Sequence, residues 1–169
     1  MTRGGMAVET GRRKATAVLS YLLLTQQILR REMVAAIFWP EHTPAKGRAD
    51  LSRILSLLRK HLGDGWLYAD RQMVGPEPDA DLWVDVLEFR RQLSLAQSHY
   101  HATGQVCENC LGELQTAVDL YQGDFLAGFT LAGSREFDDW QAWQTESLRQ
   151  ELAAALDKLA YWQAQLGNF

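Results

Sequence analysis

The sequence predicts a mainly α-helical protein in two modules, three short helices with a β-hairpin and then a helical second half. Three observations carry this. Apolar residues recur at helical spacing through most of the chain. The pattern gives way to short β-like runs only at "WLYADRQMVG", residues 66–75. The charge also changes sign along the chain: residues 1–71 hold 12 Lys and Arg against 6 Asp and Glu, whereas residues 72–169 hold 5 against 15. The 169 residues, 47% hydrophobic and 22% charged, suffice for one ordinary domain or two small ones with real cores.

The first helix is expected over 11–24, where Val18, Leu19, Leu22 and Leu23 follow Arg12, Arg13 and Lys14. Ile28 and Leu29 read as a short extended link. A second helix over 31–38 turns Met33, Val34, Ile37 and Phe38 inward and stops before Pro40, because the residue preceding proline is pushed out of helical geometry. The loop "PEHTP" leads to "AKGRADLSRILSLLRKHLG", residues 45–63. At 100° per residue, Ile54, Leu55, Leu58 and Leu62 lie within about 60° of Leu51 and form a buried stripe. Lys46, Ala49, Arg53, Ser56 and Lys60 fall on the far side, and Gly63 is a good helix stop. The two β-like runs around Asp70, Arg71 and Gln72 read as a hairpin, although its turn lacks a glycine.

"PEPDAD" interrupts the pattern, and the domain boundary is expected there, dividing 1–78 from 79–169. Beyond it, Asp85 and Glu88 have capping-box spacing at the start of a helix running to about Ala102, with Val86, Phe89, Leu93, Ala96 and Tyr100 inward. Leu111, Leu114, Val118 and Tyr121 mark a helix ending at Gly123. A long helix starts near Ser134 and carries Trp140, Leu148, Leu152, Leu156 and Leu159. Trp140, Trp143 and Phe137, like Phe125, Phe129 and Trp83, are expected in the core rather than on a ligand platform. Asp138 and Asp139 sit at a helix start, where the macrodipole favours carboxylates.

Three short helices and a β-hairpin are the parts of a winged helix-turn-helix, whose third helix enters the major groove of DNA and whose hairpin is the wing. Groove entry needs a buried stripe for anchorage and an opposite stripe of donors for phosphates and base edges. Lys46, Arg53, Ser56 and Lys60 are such donors, and Ala49 allows close approach. Arg12, Arg13 and Lys14, with Arg71 in the hairpin tip, place further charge for flanking phosphates. A solvated basic face on an ordinary core helix is the competing reading.

The motifs "GRRKATAVLSYLLL", "FWPEHTPAKGRADLSRILSLLRKHLGDGWL", "DADLWVDVLEF", "AVDLYQGDFLAGF" and "FDDWQAWQTESLRQEL", in this order, resemble the SARP-type bacterial transcriptional activators. The resemblance implies an OmpR/PhoB-like winged helix followed by a bacterial transcriptional activator domain (BTAD) of TPR-like helical hairpins. It implies a DNA-binding transcriptional activator acting on double-stranded promoter DNA, often as a homodimer at direct repeats, that contacts RNA polymerase. Members of the family begin with a small β-sheet, of which "MTRGGMAVET" resembles only the last part, and continue through further helical hairpins, so the chain is expected to be cut short at both ends. It has no phosphate-binding glycine loop, so no nucleotide site is expected.

"HYHATGQVCENC" concentrates two of the four histidines with both cysteines. Cys107 and Cys110 have metal-knuckle spacing, and with His99 and His101 they could hold a structural zinc ion. Residues two apart on a helix diverge by about 200°, so both histidines can ligate only if the helix has already ended, which Gly104 allows. A redox or incidental Cys-x-x-Cys, thiols packed as small hydrophobes, and surface histidines remain alternatives.

The alternative to a DNA-binding regulator is a protein–protein interaction scaffold within a larger signalling protein. An enzyme is not expected, since no nucleophile–base set or open metal site is visible. The longest apolar run, 17–24, is far short of the roughly 20 residues of a membrane span and lacks a following cleavage site, which predicts a cytoplasmic protein without membrane partners.

Overall fold

The computed structural model describes residues 2–3, 6–7, 13–98 and 107–167. Among these the protein is mainly helical, with six helices, a three-stranded sheet and a two-stranded pair, β1 (Thr2–Arg3) with β2 (Met6–Ala7). No described helix is long and apolar enough to cross a membrane. Contacts divide the chain into two compact units. The first holds the described residues up to Trp83 together with Gly128–Gln141, and the second holds Val84–Ala127 and the described residues from Ala142 on.

In the first unit, α1 (Arg13–Thr25) buries Ala15, Val18, Leu19, Leu22 and Leu23. After it come β3 (Leu29–Arg30), α2 (Arg31–Phe38), α3 (Pro44–Leu62), β4 (Leu67–Ala69) and β5 (Met73–Pro76). The start of α3 is fixed locally: Pro44 occupies a first-turn position whose amide needs no partner, and the Thr43 hydroxyl accepts from the Lys46 amide at 3.4 Å. Its end is fixed by Gly63 at φ 77°, whose amide donates to the Arg59 carbonyl at 2.7 Å. Between them, Leu51, Ile54, Leu55, Leu58 and Leu62 are buried, as the periodicity requires.

The sheet has the order β3-β5-β4, all antiparallel. The residues expected as a bare link thus contribute a third strand, with Leu29 opposite Val74 and Arg30 opposite Met73. The approach is close at Gly75, where a Cβ would lie 2.6 Å from the Gln27 carbonyl oxygen and 2.8 Å from Ile28 Cα. The β4–β5 turn does without glycine because the Asp70 carboxylate accepts from the amides of Gln72 at 2.7 Å and Met73 at 2.6 Å, building an Asx turn from its own side chain.

The segment Gly128–Gln141 lies on the far side of the expected 78/79 boundary yet packs in the first unit. Aromatic packing explains this. Phe137 is fully buried, 5.4 Å from Phe38 and 6.1 Å from Phe129 between ring centroids, and Trp140 meets Tyr21 edge-on at 4.9 Å. Ser134, also buried, donates its hydroxyl to the Ile37 carbonyl at 2.6 Å.

The second unit contains α4 (Asp85–Leu95), α5 (Glu108–Leu120) and the part of α6 (Arg135–Gln165) from Ala142 on. One core cluster joins Ala96, Cys110, Leu114, Ala155, Leu159 and Trp162, and another joins Phe89, Ala117 and Leu148. Arg90 bridges α4 to α6, donating to the Glu151 carboxylate at 3.0 Å and to the side-chain oxygen of buried Gln144 at 3.3 Å.

Several expectations for this unit are corrected. The helix N-cap is Val84 and not Asp85, and the Glu88 carboxylate accepts from Arg91 and Gln92, so the capping box is not made. The helix ends at Leu95 instead of near Ala102. Leu156 and Trp143, expected inward, are 45% and 63% exposed, because the inward stripe of α6 here is carried by Leu148, Ala155, Leu159 and Trp162. In the first unit Trp83 is likewise 44% exposed, and Met33, expected inward, is 50% exposed because Val34, Ala35, Ile37 and Phe38 carry the buried face of α2. Tyr100 lies outside the described residues.

Candidate nucleic-acid interface

The site is built on α3. Lys46, Ala49, Arg53, Ser56 and Lys60 are all exposed, and their spacing of three and four residues keeps them on one face, opposite the leucine stripe that anchors the helix. Arg53 is the most tethered of the cations. Its Nη1 lies 2.6 Å from Asp50 Oδ1, while Asp50 Oδ2 lies 2.9 Å from His42 Nδ1 in the loop before the helix. The Arg53 side chain is 77% exposed and its carboxylate partner only 18%, so the guanidinium presents most of its surface to solvent while the pair fixes its base.

The hairpin tip is held to this helix by Arg31, a residue that sequence reasoning missed. Its Nη1 donates to the Asp70 carbonyl at 2.8 Å and its Nη2 to the Ser52 hydroxyl at 2.6 Å, while its backbone amide donates to the Gln72 carbonyl at 2.8 Å. Burial first, and then the nearby Arg59 charge, lower the pKa of this guanidinium. Arg71 is exposed in the turn that Arg31 and Asp70 hold. The charge of Arg48 also lowers the Arg31 pKa, so Arg31, Arg48 and Arg59 form a local concentration of positive charge. Arg48 pairs with Glu32 at 2.7 Å and Arg59 with Asp64 at 3.5 Å, with much of each side chain exposed. Exposed pairs of this kind contribute about 0–1 kcal/mol, so either arginine can exchange its carboxylate for a phosphate at little cost.

Arg13 and Lys14 are occupied elsewhere in the unit. Arg13 donates twice to the Thr130 carbonyl, at 3.1 and 2.9 Å, and stacks 4.9 Å from the Phe129 ring centroid. Lys14 Nζ donates to the Phe38 carbonyl at the end of α2 at 2.7 Å and sits 4.9 Å from the Trp39 ring centroid. Burial lowers the Lys14 pKa, and the Asp50 charge partly opposes that shift. Both residues tie backbone together within the unit. Arg12 lies outside the described residues. The only sequence sign of Arg31 is the Arg30–Arg31 pair at the start of α2. Its link to the hairpin spans 39 residues of chain and leaves no periodic trace.

Of the proposed zinc ligands, His99 and His101 lie outside the described residues. Cys107 is the N-cap of α5, and Cys110 is fully buried in its first turn. Among the described residues no group of three or more His, Cys, Asp or Glu is arranged to hold a metal ion, and two thiols alone do not make a zinc set.

No family model and no curated protein matches the chain.

Proposed function

We propose that the first unit binds double-stranded DNA as a winged helix-turn-helix, with α3 in the major groove and the β4–β5 hairpin as the wing, and that the protein is a transcriptional regulator. The observation that carries the reading is the exposed face of α3, where three cations, a hydroxyl and a small residue stand opposite a fully buried apolar stripe. Lys46, Arg53, Ser56 and Lys60 face the groove, Arg71 meets backbone phosphate at the wing, and Arg48 and Arg59 add phosphate contacts at the helix edge. Arg31 positions the wing against α3. The SARP-type motifs support the same reading, and by that resemblance the second unit is a TPR-like module that contacts RNA polymerase.

A second reading, a protein-interaction scaffold, is favoured by the exposure of Trp143 on α6, since large exposed aromatics are enriched at protein interfaces. Replacing Arg53 and Lys60 together by alanine separates the two. The DNA-binding reading predicts weakened binding to duplex DNA in a mobility-shift assay. Unchanged affinity would leave the scaffold reading in its place.

A further inference from the structure

Cys107 and Cys110 have no part in the proposed DNA interface, yet their surroundings differ in a chemically specific way. Cys107 is half-buried at the N-cap of α5, with extended backbone at φ −114° and ψ 117°. Cys110, one turn in, has no exposed surface and packs with Ala96, Leu114, Ala155, Leu159 and Trp162. The two side chains are hydrogen-bonded to each other. Helix geometry puts Cα atoms three residues apart at about 5 Å. This falls inside the window of roughly 4.4–6.8 Å that a disulfide spans, so a bridge can close without moving the helix backbone far.

We infer that Cys107 and Cys110 form a redox-active dithiol that closes to a disulfide within the first turn of α5 when it meets a low-molecular-weight disulfide. The division of labour follows from exposure. The Cys107 thiol, the one solvent reaches, loses its proton and attacks one sulfur of the small disulfide. That S–S bond breaks, and the departing thiolate takes up a proton. Cys110 then loses its proton and attacks the Cys107 sulfur of the mixed disulfide, expelling the second small thiol. Two hydrogens and two electrons pass from the pair to the small disulfide, which leaves as two thiols. Cys110 needs no solvent access, because its target is already beside it. Burial pushes its thiol up to about 11, so little of it is thiolate at neutral pH, and the second attack should quicken as pH rises.

The test exposes the folded chain to oxidised glutathione and follows intact mass and peptide maps. The wild-type chain should lose two hydrogens, with a Cys107–Cys110 cross-link and no lasting adduct, and dithiothreitol should restore it. Cys110→Ala should instead accumulate glutathione on Cys107. Cys107→Ser places a favoured N-cap residue at the helix start, so it keeps the fold, and Cys110 in it should stay unmodified until the protein is unfolded. A lasting glutathione adduct on the wild-type chain would overturn the inference, as would modification of Cys110 in folded Cys107→Ser or no reaction at Cys107.

Discussion

Replacing Gly75 by alanine tests the contact on which the hairpin's attachment depends. The backbone at Gly75 is not in the left-handed region, so alanine carries no intrinsic conformational strain there. Through the unfolded state alone, Gly75→Ala would stabilise the protein by about 0.4–1 kcal/mol. Against that stands a Cβ 2.6 Å from the Gln27 carbonyl oxygen and 2.8 Å from Ile28 Cα, both backbone atoms that cannot rotate away. Forcing β3 from β5 belongs with overpacking of a filled interior, at about 1–3 kcal/mol, and also disturbs the Leu29–Val74 and Arg30–Met73 pairing. The steric effect wins, leaving the variant about 1–2 kcal/mol less stable. Urea unfolding would show a lower midpoint, and amide exchange would show reduced protection in β3 and β5. A variant as stable as wild type, with unchanged protection there, would refute the reasoning.

Three further outcomes follow from individual contacts. Lys14→Met should cost about 1 kcal/mol of stability by leaving the Phe38 carbonyl without its donor, yet leave the salt dependence of DNA binding unchanged. Asp70 has its carboxyl held below the usual value chiefly by the Met73 and Gln72 amides, so its contribution is present above the ordinary carboxylate range and lost as pH falls through it. Asp70→Ala should therefore abolish exchange protection of those two amides at neutral pH, while Asp70→Asn retains most of it. Cys110, raised from 9.0 to about 11, is neutral in folded and unfolded chains below pH 9, and between the two values only the unfolded chain ionises it. Stability should fall through that window in alkaline unfolding, and less steeply in Cys110→Ala.

What the sequence makes legible is what is encoded locally. The helix over 31–38 and the stripe of α3 follow from periodicity punctuated by Pro40, Pro44 and Gly63, and the structure places α2 at Arg31–Phe38. Strand β3 has only two residues, and their partners lie 45 and 43 positions on, so no local pattern announces it. The turn at Asp70 is encoded by a carboxylate doing a glycine's work. Phe137 reads equally well as core of either unit, and only the presence of Phe38 and Phe129 decides which. The exposed face of α3 is visible by counting in steps of 100°. That Arg13 and Lys14 are spent on carbonyls, and that Arg31 reaches the hairpin, depends on distances no spacing records.

The most direct measurement is a salt titration of binding to duplex DNA, comparing the wild-type chain with a variant carrying alanine at Lys46, Arg53 and Lys60. Each phosphate contact contributes a slope of about −0.9 to log K against log salt. If the α3 face binds DNA, wild-type affinity should fall steeply with salt, and the triple variant should bind more weakly with a slope shallower by up to about 2.7. Equal affinities and equal slopes for the two proteins would contradict the assignment of α3 as the DNA-contacting helix.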